Sequence, residues 1–446
     1  MQANRFVSRD PRDGQVFAER PSWQRHDTRQ ALTAASQAAA RWASSTLAQR
    51  AALLRALGEA LLLASPVLAN SIQREMGKQY AEAEDEVLRA AKWCQFLAEQ
   101  GPAWLAPEPG ARSQIWRRPL GVVLAVTPWN YPVWQIFRPL AAAVLAGNAV
   151  LIKPAPNVAQ TSALVEMICR ELLPAGLMQC LWTDEVGTRE ALADPAVSML
   201  VCTGSETTGR QLGALAAHHL KPAVLELGGN NAFIVLADAD IAAAAEAAAQ
   251  SRCLNAGQAC TAAKRFIVVE AVADAFRHAL RAALAHYQCG STLAPLARAD
   301  LRDKLARQVN LSVEQGARCL LGGQPAGGRG YYFPATLLEQ VVPGMPAFDE
   351  ELFGPVACLS VVADSAAAIA LANASRQQLA ASLWTRDTAQ AAPLAAQLQA
   401  GMLCLNSRPT SRFSLPFAGS QASGFGSTLG RDGLLAFTRP VAWLAG

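Results

Sequence analysis

Four short stretches hold residue types that could do chemistry. In "LNAGQACTAAKRF", Cys260 lies among small and amide residues just ahead of the apolar run at 266–269, a setting that could serve a reactive thiol. In "VLELGGNNAF", an apolar run ends in Glu226, followed by Gly228 and Gly229. A carboxylate at the end of a buried strand is costly unless it is paired or functional. In "PWNYPVWQIF", Asn130 stands between a β-rich run and a helix expected to start at Pro132, where its amide could donate to a developing oxyanion. In "CTGSETTGRQ", a strand feeds Gly204, Ser205 and Gly209 around a helix start near Glu206, and a helix N-terminus with small residues suits a phosphate. This is neither a Walker loop, since Arg210 and Gln211 stand where Lys and Ser or Thr are needed, nor GxGxxG. Taken singly, each stretch also has a plainer reading: a packed thiol, a salt-bridged strand end, a turn asparagine and a capped helix start. The later "GFGSTLG" follows no strand and is a weaker phosphate signal.

Such residues need elements to position them. After Pro119, β-rich runs ("GVVLAVT", "NAVLIK", "SMLVCTG", "PAVLEL", "AFIVLA", "RFIVVE") alternate with longer helical ones. That alternation predicts a parallel sheet covered by helices, as in dinucleotide-binding folds. Residues 30–100 read as helical, with Leu53, Leu54, Leu57, Leu61 and Leu62 on one stripe. A chain of 446 residues is long for one core and predicts two or three domains. With 52% hydrophobic and 17% charged residues it belongs with compact, enzyme-sized proteins and not with disordered chains. A net charge of +4 without a basic block gives no reason to expect nucleic acid. The ten cysteines are spread from Cys94 to Cys404 with no CxxC pair, which points to a reducing compartment. The N-terminus is polar and no run reaches about eighteen uncharged apolar residues, so no membrane partner and a cytoplasmic location are expected. Only His218 and His219 adjoin, and no HExxH occurs, so no metal site is expected.

The joint pattern is more specific than its parts. "PWN" with Asn130, "LIKP" with Lys153, "TGS" with Gly204, "LELGG" with Glu226, "GQAC" with Cys260 and "EELFGPV" with Glu351 and Phe353 occur in one order. So arranged, the chain resembles the aldehyde dehydrogenase superfamily from about Arg9 to its end, adding "EMGK" at 75–78 and "LPFAGSQASGFG" near the C-terminus. "KPAPNVAQ", "LELGGNNAFIVLADADI", "LNAGQACTAAKRF" and "PLARADLRDKL" are most similar to bacterial NAD(P)-linked succinate-semialdehyde dehydrogenases. The C-terminus departs from them: where such enzymes carry an arginine before an "FGG" segment, this chain has Ser414 and Leu415, with Arg408 and Arg412 earlier. The ending "GSTLGRDGLLAFTRP" is similar to that of enzymes acting on apolar or aromatic aldehydes, which makes an aromatic or aliphatic aldehyde the alternative substrate.

The resemblance implies an α/β aldehyde dehydrogenase fold: a Rossmann-like cofactor domain over residues 1–227, a catalytic α/β domain over 228–405, and a return over 406–446. Residues 113–123 and the C-terminal "RPVAWLAG" would supply an oligomerisation hairpin whose free edges pair with a partner subunit, giving a homodimer or a dimer of dimers. Cys260 would attack the aldehyde, its thiolate favoured by an accessible polar loop. Asn130 and the Cys260 N–H would hold the oxyanion, a hydride would pass to NAD or NADP, and Glu226 would activate the water that hydrolyses the thioester. Glu351 would meet the nicotinamide ribose, Phe353 the ring and Lys153 the adenosine ribose. Trp129 would line the cleft, Gly204 and Ser205 would meet the pyrophosphate, and Gly209 and Leu227 would complete the cofactor site. Relatives that prefer NAD carry a glutamate three residues after this lysine; Pro156 stands there, which predicts that NADP is accepted. Trp134 would line the substrate tunnel, and Arg408 or Arg412 would grip a substrate carboxylate. Two rivals are a relative that passes the acyl group to coenzyme A, which usually lacks a Glu226-type base, and a non-catalytic protein on the same fold.

Overall fold

The structure is a computed structural model that describes residues 5–110 and 112–444. The helical region contains three helices, Arg25–Trp42, Leu47–Met76 and Tyr80–Leu105. Thr46 caps the second, accepting from the Gln49 N–H while Gln49 reaches back, and Gly77 at φ 72° ends it. By length and apolar composition Leu47–Met76 could cross a membrane, but a core helix of a soluble protein passes the same test. Its stripe of Leu54, Leu57, Leu61, Leu68, Ile72 and Met76 is fully buried, and its main neighbour is Tyr80–Leu105. Leu62, expected on that stripe, is exposed beside Leu63 and Val67. Position 62 falls about 100° around the helix from Leu61, outside the arc that faces the core.

Two parallel sheets carry the rest. The first has six strands in the spatial order Gly424–Phe425, Ala223–Glu226, Val197–Thr203, Val122–Val126, Ala149–Lys153 and Met178–Cys180; only the first of these runs antiparallel. Its Val-, Leu- and Ile-rich strands are buried between helices, as the unbroken apolar runs require. The second has seven strands, in the order Arg318–Leu321, Thr336–Glu339, Val356–Val362, Ala263–Val269, Asn231–Val235, Ala380–Trp384 and Met402–Leu405, with the first antiparallel. All six β-rich runs read from sequence are strands. The chain passes from the first sheet to the second across Gly228, Gly229 and Asn230, and returns to the first at Gly424.

Thr438–Leu444, Ser113–Pro119 and Glu108–Pro109 form a separate three-stranded antiparallel sheet, in which Trp116 and Trp443 stack at 5.9 Å. It is not a simple hairpin, since its long strands come from distant parts of the chain. The expected segment 113–123 is also divided: Val122 and Val123 are buried in the six-stranded sheet, and the chain turns between the two sheets at Leu120 and Gly121 (φ 129°). Residues 445 and 446 of "RPVAWLAG" lie outside the described residues.

Candidate active site

The chemistry-bearing turns gather at the carboxyl ends of the first sheet, where an open parallel sheet leaves room for ligands. Val122–Val126 leads into the turn with Trp129 and Asn130; Ala149–Lys153 ends in Lys153; Val197–Thr203 is followed by Gly204 and Ser205; Ala223–Glu226 ends in Glu226. Pro132 starts the next helix, Pro132–Ala146, because its fixed φ and missing N–H suit a first helical position. Cys260 sits just ahead of Ala263–Val269, in a loop tied down by the Asn231 amide, which donates to Cys260 O at 2.6 Å and Ala262 O at 3.0 Å.

Cys260 lines a cavity of about 430 Å³ shared with Tyr131, Trp134, Arg89, Arg138 and Arg408. Cys260 is half-buried and faces this cavity, but its surroundings do not favour the thiolate as expected from sequence: desolvation pushes the thiol up to about 11, opposed by Arg138 and Lys264 and reinforced by Glu351 and Glu226. The Asn130 amide donates to Gln258 O at 2.9 Å, which leaves its second N–H for another acceptor. Glu226 is 3% exposed. Its Oε1 accepts from the Thr428 hydroxyl at 2.9 Å, while Oε2 has no partner among the described residues. Burial raises its carboxyl to about 7, with Arg138 and Thr428 pulling the other way. The "GFGSTLG" segment thus backs Glu226: Gly424 pairs with it in the sheet and Thr428 holds its carboxylate.

A second cleft, of about 650 Å³, is lined by Lys153, Pro156, Ser205, Thr207, Thr208 and Gln211, among others. Burial lowers Lys153 to about 8. Ser205 caps the helix Glu206–His218 by accepting from the Thr208 N–H at 3.2 Å. Pro156 stands exposed at the start of a short 3-10 turn. Gly204 lies beside this cleft without lining it. Gly209 and Leu227 pack on each other: a Cβ on Gly209 would come within 2.4 Å of a Leu227 methyl, so the glycine lets helix and strand end approach. Glu351 pairs with Lys264 at 3.1 Å and accepts from the Gly229 N–H at 3.1 Å, and Trp129 meets Phe353 edge to face at 5.6 Å. The cleft offers an ammonium, hydroxyls and a helix N-terminus to a nicotinamide dinucleotide; position 156 brings no carboxylate, although Asp184 and Glu185 also line the cleft and act on Lys153.

On the substrate side, Arg408 lines the Cys260 cavity, whereas Arg412 is exposed and does not. The irregular segment 408–411 lines the cavity along its length, and Phe413 follows at the cavity while Arg412 points to solvent. Trp134 is both cavity lining and packing, tilted against Phe413 at 6.0 Å with Arg89 over its ring at 4.7 Å. Two arginines escaped the sequence reading. Arg89 donates to Ser411 O and Oγ at 2.8 Å; Arg138 is 5% exposed, donates to Thr203 Oγ1 at 2.9 Å and keeps a buried Nε without a partner. Among the described residues, neither has a carboxylate partner. Arg138 did leave a signal, as the lone charge in the otherwise uncharged "PVWQIFRPLAAAVLA", one helical turn after Trp134. Arg89, in an ordinary amphipathic helix, left none.

The sequence signature of the aldehyde dehydrogenase family matches residues 1–442. The succinate semialdehyde dehydrogenase [NAD(P)+] Sad of Escherichia coli is 40% identical over 446 residues, covering 98% of this chain and 96% of its own. The succinate-semialdehyde dehydrogenase [NADP(+)] 1 of Mycobacterium ulcerans is 38% identical over 408 residues, covering 88% and 89%. Among solved structures, the succinic semialdehyde dehydrogenase of Streptococcus pyogenes in complex with NADP+ superposes with a TM-score of 0.95 at 28% identity, covering 99% of each chain. On fold, on the order of its motifs and on these likenesses, the chain belongs to the aldehyde dehydrogenase family.

Proposed function

We propose that this protein is an NAD(P)-dependent dehydrogenase that oxidises a small carboxylated semialdehyde, succinate semialdehyde or a close analogue, to the dicarboxylic acid. The observation that carries the substrate reading is Arg138, buried against the Cys260 cavity with its Nε unpaired and no ion-paired carboxylate among the described residues, with the half-buried Arg89 and Arg408 at the same cavity. A buried guanidinium is costly without an anion, and a substrate carboxylate would supply one through parallel hydrogen bonds. Three carboxylates line the cavity too: Glu86 is paired with Lys78 at 2.5 Å, Glu82 accepts from the Asn255 N–H, and Asp85 is exposed to solvent, with Lys92 at the same cavity. The relatives named for succinate semialdehyde agree with this choice.

In the mechanism, the Cys260 thiolate adds to the aldehyde carbon, with Arg138 and Lys264 opposing the desolvation cost of ionising the thiol. The free Asn130 N–H and the Cys260 backbone N–H receive the oxyanion, each donor worth roughly 3 kcal/mol at such sites. NAD or NADP, when bound, would supply the hydride acceptor for oxidation of the thiohemiacetal to the thioester; Lys153, Ser205, Glu351, Phe353 and Trp129 would hold it. Glu226 then takes a proton from water, with Oε2 as the open acceptor, as the water oxygen adds to the thioester carbon; the C–S bond breaks, the Cys260 thiolate is restored and the acid leaves. The free edge of Thr438–Leu444, bearing exposed Trp443 and Leu444, supports a homo-oligomer, and a cytoplasmic location remains our expectation. A spectrophotometric screen of aldehydes, with both cofactors and with or without coenzyme A, tests the proposal. Turnover of succinate semialdehyde no faster than benzaldehyde would reject the carboxylate reading, and dependence on coenzyme A would reject hydrolysis.

A further inference from the structure

The helix Tyr80–Leu105 carries two carboxylates one turn apart, Glu82 and Glu86, and both reach off the helix to the two sides of the Cys260 cavity. Glu86 is fully buried. Its Oε2 accepts from Lys78 Nζ at 2.5 Å, and its Oε1 accepts from the backbone N–H groups of Val133 at 2.8 Å and Trp134 at 3.1 Å. Those N–H groups begin the helix directly after the Asn130 turn, and Lys78 Nζ also lies 3.8 Å from the centre of the Tyr131 ring. Glu86 therefore anchors the Asn130 side.

Glu82 anchors the other side, accepting from the Asn255 backbone N–H at 2.9 Å. Asn255 opens three consecutive left-handed residues, with φ of 52° at Asn255, 51° at Ala256 and 75° at Gly257. A left-handed backbone is unfavourable for a residue with a Cβ, most plainly for Ala256, so the turn persists only where surrounding contacts hold it. Asn255 Nδ2 reaches Asn130 O at 2.9 Å and Gln258 O at 3.1 Å, so this strained turn is joined to the Asn130 turn, and the chain leaves it directly toward Cys260.

We propose that Glu82 and Glu86 are positioning residues that fix both turns to one rigid helix and so set the approach of Cys260 to the Asn130 amide. The proposal rests on the roles given above to Cys260 and Asn130. Sub-ångström misplacement of a nucleophile and its oxyanion donor slows the chemical step without weakening binding. Three substitutions separate reach from charge. Glu82→Gln keeps an oxygen at the same distance and loses the charge; Glu82→Asp keeps the charge and draws the oxygen back by one methylene; Glu82→Met keeps the bulk and offers no acceptor. With succinate semialdehyde and NADP, Glu82→Gln should stay within about threefold of wild-type kcat, while Glu82→Asp and Glu82→Met should fall roughly tenfold with both KM values within about twofold. If Glu82→Met does not fold, the Asp and Gln variants still decide. Activity retained by Asp and lost by Gln, a rise in aldehyde KM at constant kcat, or no change in any variant would overturn the proposal. Cys260→Ala is assayed alongside: if it keeps full activity the catalytic reading itself fails, whereas if it is inactive while the Glu82 series is flat, only the positioning role is lost.

Discussion

Lowering the pH from about 8 to about 6 should slow hydrolysis of the Cys260 thioester roughly tenfold. Burial carries the Glu226 carboxyl from an ordinary 4.5 to about 7, and only the deprotonated form can take a proton from water. With a pKa near 7, roughly nine-tenths of the enzyme holds the base form at pH 8 and roughly one-tenth at pH 6. A carboxyl left at 4.5 would remain almost wholly ionised across that range. The folded pKa is raised, so the working form is lost as pH falls through about 7 and not through the usual carboxylate range. Thiol ionisation must be kept out of the measurement, because a Cys260 thiol near 11 makes acylation itself rise with pH across the whole window. Acyl-enzyme formed at pH 8 and then jumped to each test pH isolates hydrolysis, followed by quenching and mass spectrometry. The rate should bend near pH 7 in the wild type, and in Glu226→Gln it should be slow with the bend removed. A rate that stays flat from pH 8 to 6, or an unchanged profile in Glu226→Gln, would refute the assignment of the base.

Other outcomes follow from the same geometry. Arg138→Met should lower kcat for both aldehydes, because Arg138 also favours the Cys260 thiolate, but should raise KM roughly tenfold or more only for succinate semialdehyde, which alone has a carboxylate to hold; an equal change in KM for propanal would remove Arg138 from carboxylate binding. Arg412→Ala, altering an exposed residue off the cavity, should leave kcat/KM within about twofold in the same assay. Pro156→Glu should depress NADP use by roughly tenfold while sparing NAD, by bringing a carboxylate toward the 2′-phosphate; Pro156→Ala controls for the freed backbone, and an equal loss with both cofactors would defeat the electrostatic argument.

The strands are legible because unbroken β-branched runs bounded by turns have few other uses, and the motif order marks Cys260, Glu226 and Asn130, which lie on strand ends and turns. What sequence could not give was set by long-range packing. The Cys260 environment depends on Arg138 and Lys264, one from a distant helix and the other fixed by Glu351. Arg408 and Arg412 look equivalent as letters, and only the local course of the chain turns one to the cavity and the other to solvent. "GFGSTLG" reads as a poor phosphate loop, yet it runs antiparallel to the Glu226 strand and supplies Thr428 to its carboxylate. Leu62 shows the limit of periodicity: a stripe can be counted, but its width is set by whatever packs against it.

Trapping the acyl-enzyme tests the covalent mechanism most directly. Glu226→Gln, mixed with succinate semialdehyde and NADP, quenched in acid after a few turnover times and digested, should yield the peptide containing Cys260 with one succinyl group attached and close to one equivalent of NADPH formed per active site. Cys260→Ala should give neither. Steady NADPH production with no adduct at Cys260, or an adduct on a different cysteine, would contradict the assignment of Cys260 as nucleophile.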